Sequence, residues 1–179
     1  MRQHAIVPPC RLISVTDRTM NINDQIKAAV ARLAANGHPF EALESADWVA
    51  AIEEKLGRAL PPSFRCLVTG FAFPEFDIGG VTLFANLNDG SAEDVTVAPF
   101  ADPFMSRWLI SRGYVQFGRP DTATYDPVCF DFSEKRKEPP VVVLDHEDIL
   151  LERHKVRVRK LADSFLDLIQ AGAQKAEFV

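Results

Sequence analysis

RGYVQFGRPDTATYDPVCFDFSEKRKEPPVVVLDHE, residues 112–147, holds three short runs of β-branched and aromatic residues separated by turn chemistry. The runs cover 114–117, 128–132 and 141–144. Gly118, Pro120, Asp121, Asp126 and Pro127 break the first gap, and a charged loop over 134–138, closed by Pro139 and Pro140, breaks the second. Connections this short predict antiparallel neighbours, because a parallel crossover takes about a dozen residues or more, usually with a helix. The expected unit is a three-stranded meander. In its middle run Cys129 and Asp131 alternate with Val128, Phe130 and Phe132, which predicts one buried and one wetter face.

Outward from the meander, apolar residues recur at helical spacing. On the N-terminal side, Ile26, Val30 and Leu33 predict a helix capped by Asn23 or Asp24 and stopped by Gly37. Val49, Ile52 and Leu56 predict a second helix, capped by Ser45 and ended by Gly57. Phe64, Leu67 and Val68 predict a short third one after Pro61 and Pro62, since proline is tolerated in the first turn. Residues 70–76 read as an aromatic-rich turn, 81–84 as a strand, 86–91 as a polar loop and 95–98 as a short extended segment. Residues 102–112 predict a helix with Phe104, Trp108 and Leu109 on one stripe. On the C-terminal side the basic run 153–160 predicts an edge strand whose charges discourage aggregation. A last helix follows, with Leu161, Phe165, Leu168 and Ile169 buried and Gly172 at its end. Helices, serial strands and a closing helix predict an α+β fold: an antiparallel β-sheet meander packed against N-terminal helices and a C-terminal helix. Residues 1–22 are expected to form an extension, with Met20 a second candidate start; 23–172 a single domain; and 173–179 a loose tail.

Composition narrows the classes. The 179 residues suit one domain, and a 47% hydrophobic content supports a core. No apolar run reaches the roughly 20 residues of a membrane helix, and Pro8 and Pro9 interrupt any secretory signal. Cys10, Cys66 and Cys129 lie far apart and cannot all pair, which fits a reducing cytoplasm. No zinc-ligand spacing is present, so neither metal nor cofactor is expected. A net charge of -5 argues against direct nucleic-acid binding, which depends on clustered cations. The same acidity serves solubility, and it also suits a basic partner.

The ordered motifs resemble those of the SMI1/KNR4 family, also called the SUKH superfamily. They begin with Leu56, Gly57, Leu60, Pro61, Ser63 and Phe64, which stand as an LG-x-x-LP-x-x-aromatic turn into a helix. Gly113, Tyr114, Phe117 and Gly118 follow as a GY-x-x-FG strand, and Asp126, Pro127, Val128, Cys129 and Asp131 as a DPVC-x-D strand. The apolar strand 141–144 then runs into Asp145, His146 and Glu147, and Ala162, Asp163, Ser164 and Phe165 open the closing helix. The match spans residues 48–169. Thr69, Gly70 and Phe71 replace the Asn-Gly corner that members usually carry after the LP helix. The resemblance implies a non-enzymatic protein-binding domain: an immunity protein that neutralises a toxin, or a partner-binding regulator. The acidic residues Asp89, Glu93, Asp94, Asp121, Asp126 and Asp131 are the expected partner-binding set.

Asp145, His146, Glu147 and Asp148 form the densest titratable cluster, yet in an extended strand neighbours point to opposite faces and do not converge, so a polar turn at the strand end is expected rather than a catalytic or metal site. Cys129 would need His146 across the sheet as its base; a cysteine in an apolar strand is usually buried and protonated. GRPD at 118–121 lacks the glycine and lysine spacing of a phosphate loop. Lys135, Arg136 and Lys137 read as a solvated loop. The alternatives that remain are a small hydrolase or transferase using Cys129 or His146, and a small-ligand module.

Overall fold

A computed structural model describes residues 20–122 and 124–175; residues 1–19 of the expected N-terminal extension and the end of the tail lie outside them, and Ile22, expected in the extension, already begins the first helix. The elements run in the order α1 (Ile22–Ala35), β1 (Glu41–Ala42), α2 (Trp48–Leu56), α3 (Pro62–Gly70), β2 (Phe71–Ala72), β3 (Phe76–Ile78) and β4 (Val81–Leu83). A 3₁₀ turn (Ala98–Phe100) precedes α4 (Pro103–Ser111). Then come β5 (Tyr114–Pro120), β6 (Val128–Asp131), β7 (Val141–Leu144), α5 (His146–Leu150), β8 (Val158–Ala162) and α6 (Phe165–Lys175). Strands β3 to β8 form one antiparallel sheet in strict chain order, and β1 pairs with β2 in a separate ribbon. The meander is therefore the centre of a six-stranded sheet. The turn between β3 and β4 uses Gly79 and Gly80 at φ 59° and 86°, the positive values a tight hairpin needs.

One face of the sheet carries Val81, Leu83, Val115, Phe117, Val128, Phe130, Val141 and Val143, against buried residues of α1, α2, α3 and α6. At its centre Phe117 and Phe130 stack with centroids 4.1 Å apart. Phe64 of α3 meets them at 5.5 and 5.0 Å, and Phe165 of α6 lies 5.0 Å from Phe64. The N-terminus of α3 lacks a cap of its own, because Pro61 and Pro62 stand there. Glu138 supplies it from the loop after β6, accepting the Ser63 N–H at 2.8 Å and the Ser63 Oγ–H at 2.7 Å.

The second face is not the wet one expected. Cys129, Val142 and Leu144 are buried against Leu109 of α4 and Ile149 of α5. The unbroken run Val141–Leu144 is the reason: apolar side chains on both faces of a strand call for cover on both. Several local expectations also shift. Asn21 caps α1, accepting the Asp24 N–H at 2.9 Å, while Asp24 sits in the first turn where its charge suits the helix dipole. Helix α2 starts from a backbone turn, Val49 N–H to Ala46 carbonyl, without a bond from Ser45. Residues 95–98 enter the 3₁₀ turn rather than a strand. In α4 only Leu109 of the expected stripe is buried; Phe104 is exposed. Gly172 does not end α6. It lies inside the helix, where a Cβ would stand 2.1 Å from Ile78 Cγ1, so the missing side chain lets α6 close on β3.

Two substitutions test this packing by urea unfolding. Phe64→Ala is expected to cost about 3–5 kcal/mol, with Phe64→Leu costing less. Gly172→Ala is expected to lose about 1–2 kcal/mol net, because overlap with Ile78 outweighs the gain in helix propensity.

Candidate functional site

Helix α4 covers only part of the second face and leaves a cleft beside it of about 410 Å³. Asp102 fixes the start of α4 by accepting the Met105 N–H at 2.8 Å, and Pro103 takes the first helical position. The helix thereby turns Met105, Ser106 and Leu109 into the cleft, opposite Phe84 and Pro99. Gln116 of β5 reaches the floor, and its amide donates to the Gly118 carbonyl at 3.3 Å. The lining is mainly apolar, with a few polar groups converging, which is the usual make-up of a recognition site.

The far wall is Tyr125, Pro127, His146 and Leu150. Asp145 was expected in a polar turn at the strand end. Instead it caps α5 by accepting the Asp148 N–H at 2.8 Å, and this helical turn brings His146 and Leu150 to the same cleft. Asp126 Oδ1 accepts the His146 backbone N–H at 3.0 Å and stands 2.7 Å from His146 Nδ1. Partial burial pushes the Asp126 carboxyl up. The His146 backbone N–H, its imidazole and the Thr124 side chain more than offset that and hold it below its ordinary value. The Tyr125 ring meets the His146 ring edge-on at 6.0 Å and is 85% exposed. Leu150 and Leu151, at 54% and 64%, extend the apolar rim.

Asp148 is the buried member of the acidic cluster. It takes the Arg157 backbone N–H at 3.1 Å, Arg157 Nε at 2.7 Å and Arg153 at 3.1 Å, while Asp145 pairs with Arg157 at 2.6 Å. The cluster clips the basic segment before β8 onto α5. Its charge assignments are structural, which explains its density in the sequence.

The expected acidic set does not gather on one face. Asp89, Glu93 and Asp121 are exposed: Asp89 accepts the Ser91 N–H at 2.9 Å, and Glu93 faces Arg119 at 3.7 Å. Asp126 borders the cleft through His146. Asp131 is half-buried and accepts the Ser133 N–H at 2.9 Å. Asp94 is fully buried and cannot take part in a surface: its two oxygens accept the Asn88 and Thr96 N–H groups, which shapes the loop before the 3₁₀ turn. Asp102, Gln116, Met105 and Leu150 were missed as site residues. The adjacent exposed Leu150–Leu151 pair was the one available signal, since nothing in the chain order brings α4 beside α5. Cys129 is fully buried, and burial pushes its thiol well above the ordinary value, with Asp131 adding to the effect. Its sulfur is enclosed by the apolar residues under α4 and α5 and does not open onto the cleft.

The Asp148 clip has a pH signature. Hydrogen bonds from Arg157 hold its carboxyl below the ordinary 3.8, so its stabilisation is present above about pH 4 and lost as pH falls through the folded value. Urea midpoints measured between pH 7 and 3 are expected to drop at the acid end. Asp148→Asn is expected to start less stable and to show a shallower acid drop.

Among the described residues, no helix is long and apolar enough to cross a membrane. No curated protein matches the chain. The sequence model of the SMI1 / KNR4 family (SUKH-1) matches residues 44–171, from the approach to α2 into α6, so that only α1 among the core helices falls outside it. With the ordered sheet, the Leu60–Pro61 entry to α3 and the closing α6 all inside that span, the chain belongs to the SMI1 / KNR4 family (SUKH-1).

Proposed function

We propose that this domain works by binding a protein partner without catalysing a reaction, as a cytoplasmic immunity protein that neutralises a toxin or as a partner-binding regulator. The carrying observation is the apolar cleft with an exposed rim: Tyr125 and Leu150 line it and stand in solvent, and Leu151, next in the chain to Leu150, is exposed as well. Exposed aromatic and aliphatic side chains beside a concave apolar surface are the anchors on which protein interfaces concentrate their energy. Family membership supports the reading, since SUKH domains include immunity proteins. The net charge of -5, with Asp102 lining the cleft and Asp126 behind His146, favours a basic partner and speeds its approach. Burial of Cys129 removes the thiolate that a cysteine mechanism would need.

The test is co-purification from the native cells followed by calorimetry with the recovered partner. One stoichiometric protein partner is expected for the wild type. Tyr125→Ala combined with Leu150→Asp is expected to weaken it about 30- to 900-fold, at roughly 1–2 kcal/mol per anchor, with little change in thermal stability because both residues are exposed. Equal binding by the double variant would refute the cleft as the interface.

A further inference from the structure

A second hollow lies on the same side of the sheet, near the C-terminal end of α4. It measures about 360 Å³ and is bordered by Trp108, Arg112, Tyr114, Arg153, His154 and Lys155. Neither the family match nor the cleft accounts for it. The Trp108 and Tyr114 rings are nearly parallel, 9° apart with centroids at 6.4 Å, and the Arg112 guanidinium stands 4.2 Å over the Trp108 ring. Among the described residues Arg112 otherwise meets the Trp108 carbonyl at 3.4 Å and Ser111 Oγ at 3.5 Å, and no carboxylate among them neutralises it. Lys155 is exposed and carries no ion pair among the described residues. Arg153 is bridged to Asp148 and holds the loop in place. Asp131 is the sheet neighbour of Tyr114, and one of its oxygens is taken by the Ser133 N–H; Asp148 is engaged by Arg153 and Arg157.

A protein of net charge -5 thus concentrates five Lys and Arg and no acid within residues 153–160, and the start of that run closes a hollow floored by aromatic rings. Flat rings beside unneutralised cations suit a ligand that is planar at one end and anionic at the other. We propose that this hollow binds a nucleoside phosphate, with the base against the Trp108 and Tyr114 rings and Arg112, and the phosphate against Lys155 and Arg112. The size fits one nucleotide, within the range of small-ligand pockets. Stacking and charge-assisted hydrogen bonds are the two contributions. The site is separate from the cleft, so it stands or falls independently of the partner-binding reading.

Calorimetry of the full chain with AMP and ATP at low salt tests it. Binding with a dissociation constant below about 1 mM is expected. Lys155→Gln and Arg112→Gln are each expected to weaken it about tenfold, and Trp108→Ala at least as much. Lys155 is exposed, so its variant folds regardless of how far Trp108 supports the core. Tyr125→Ala is expected to leave nucleotide binding unchanged. The inference fails if neither nucleotide binds at a few millimolar, or if Lys155→Gln and Arg112→Gln bind like the wild type. It fails also if inorganic phosphate or polyglutamate competes as well as AMP, which would mark a plain anion patch, or if a single-stranded oligonucleotide binds while mononucleotides do not.

Discussion

Four phenylalanines from four elements hold this molecule together. Phe64 sits on the stacked Phe117–Phe130 pair, and Phe165 closes the group from α6. Each ring brings a large apolar area, and the tilted and edge-on contacts among them contribute beyond area alone. The cluster fixes where α3 and α6 lie on β5 and β6. The Leu60–Pro61 turn matters because it delivers Phe64 to that spot, and Glu138 matters because it satisfies the helix end that the two prolines leave without a side-chain cap. With α3 and α6 settled, α1 has a seat: Ile26, Ala29, Val30 and Leu33 bury against them.

The second face follows a different logic. Its apolar stripe, Cys129, Val142 and Leu144, is narrow, and two short helices suffice to cover it. Because α4 is only nine residues long and α5 five, cover is incomplete, and recesses remain on either side of α4. One is apolar with an exposed rim; the other is cationic with aromatic walls. Recognition surfaces here are therefore what partial shielding leaves behind, held rigid by the sheet beneath and by the Asp148 clip at one end.

Much of the fold was legible because the relevant signals are local. Alternating and continuous β-branched runs marked β5, β6 and β7, turn residues set their antiparallel sense, and helical spacing marked the four helices of the first face. What escaped depended on tertiary contact. Gly172 reads as a helix stop until Ile78 is seen to occupy its missing side chain. Asp145 and His146 read as a polar turn at the strand end, whereas an aspartate cap carries the turn on into the helix α5. The wetter face inferred from Cys129 and Asp131 overlooked that Val141–Leu144 has no polar face at all. The site was least legible: the acidic set came from charge alone, and charge does not reveal that Asp94 is consumed by two backbone amides or that α4 meets α5.

The strict chain order of the sheet bears on how the polypeptide reaches this state. Within the six-stranded sheet every strand pairs with its neighbours in chain order, so pairing can proceed along the chain, the longest loop to close being the one that carries α4 between β4 and β5. The ties that span the chain are few: Ser63 to Glu138 across 75 positions and Gln25 to Gln170 across 145. On a ribosome the sheet would be well advanced while α1 to α3 still waited for α6, so a segment made after every strand of the sheet is the one that completes the aromatic core.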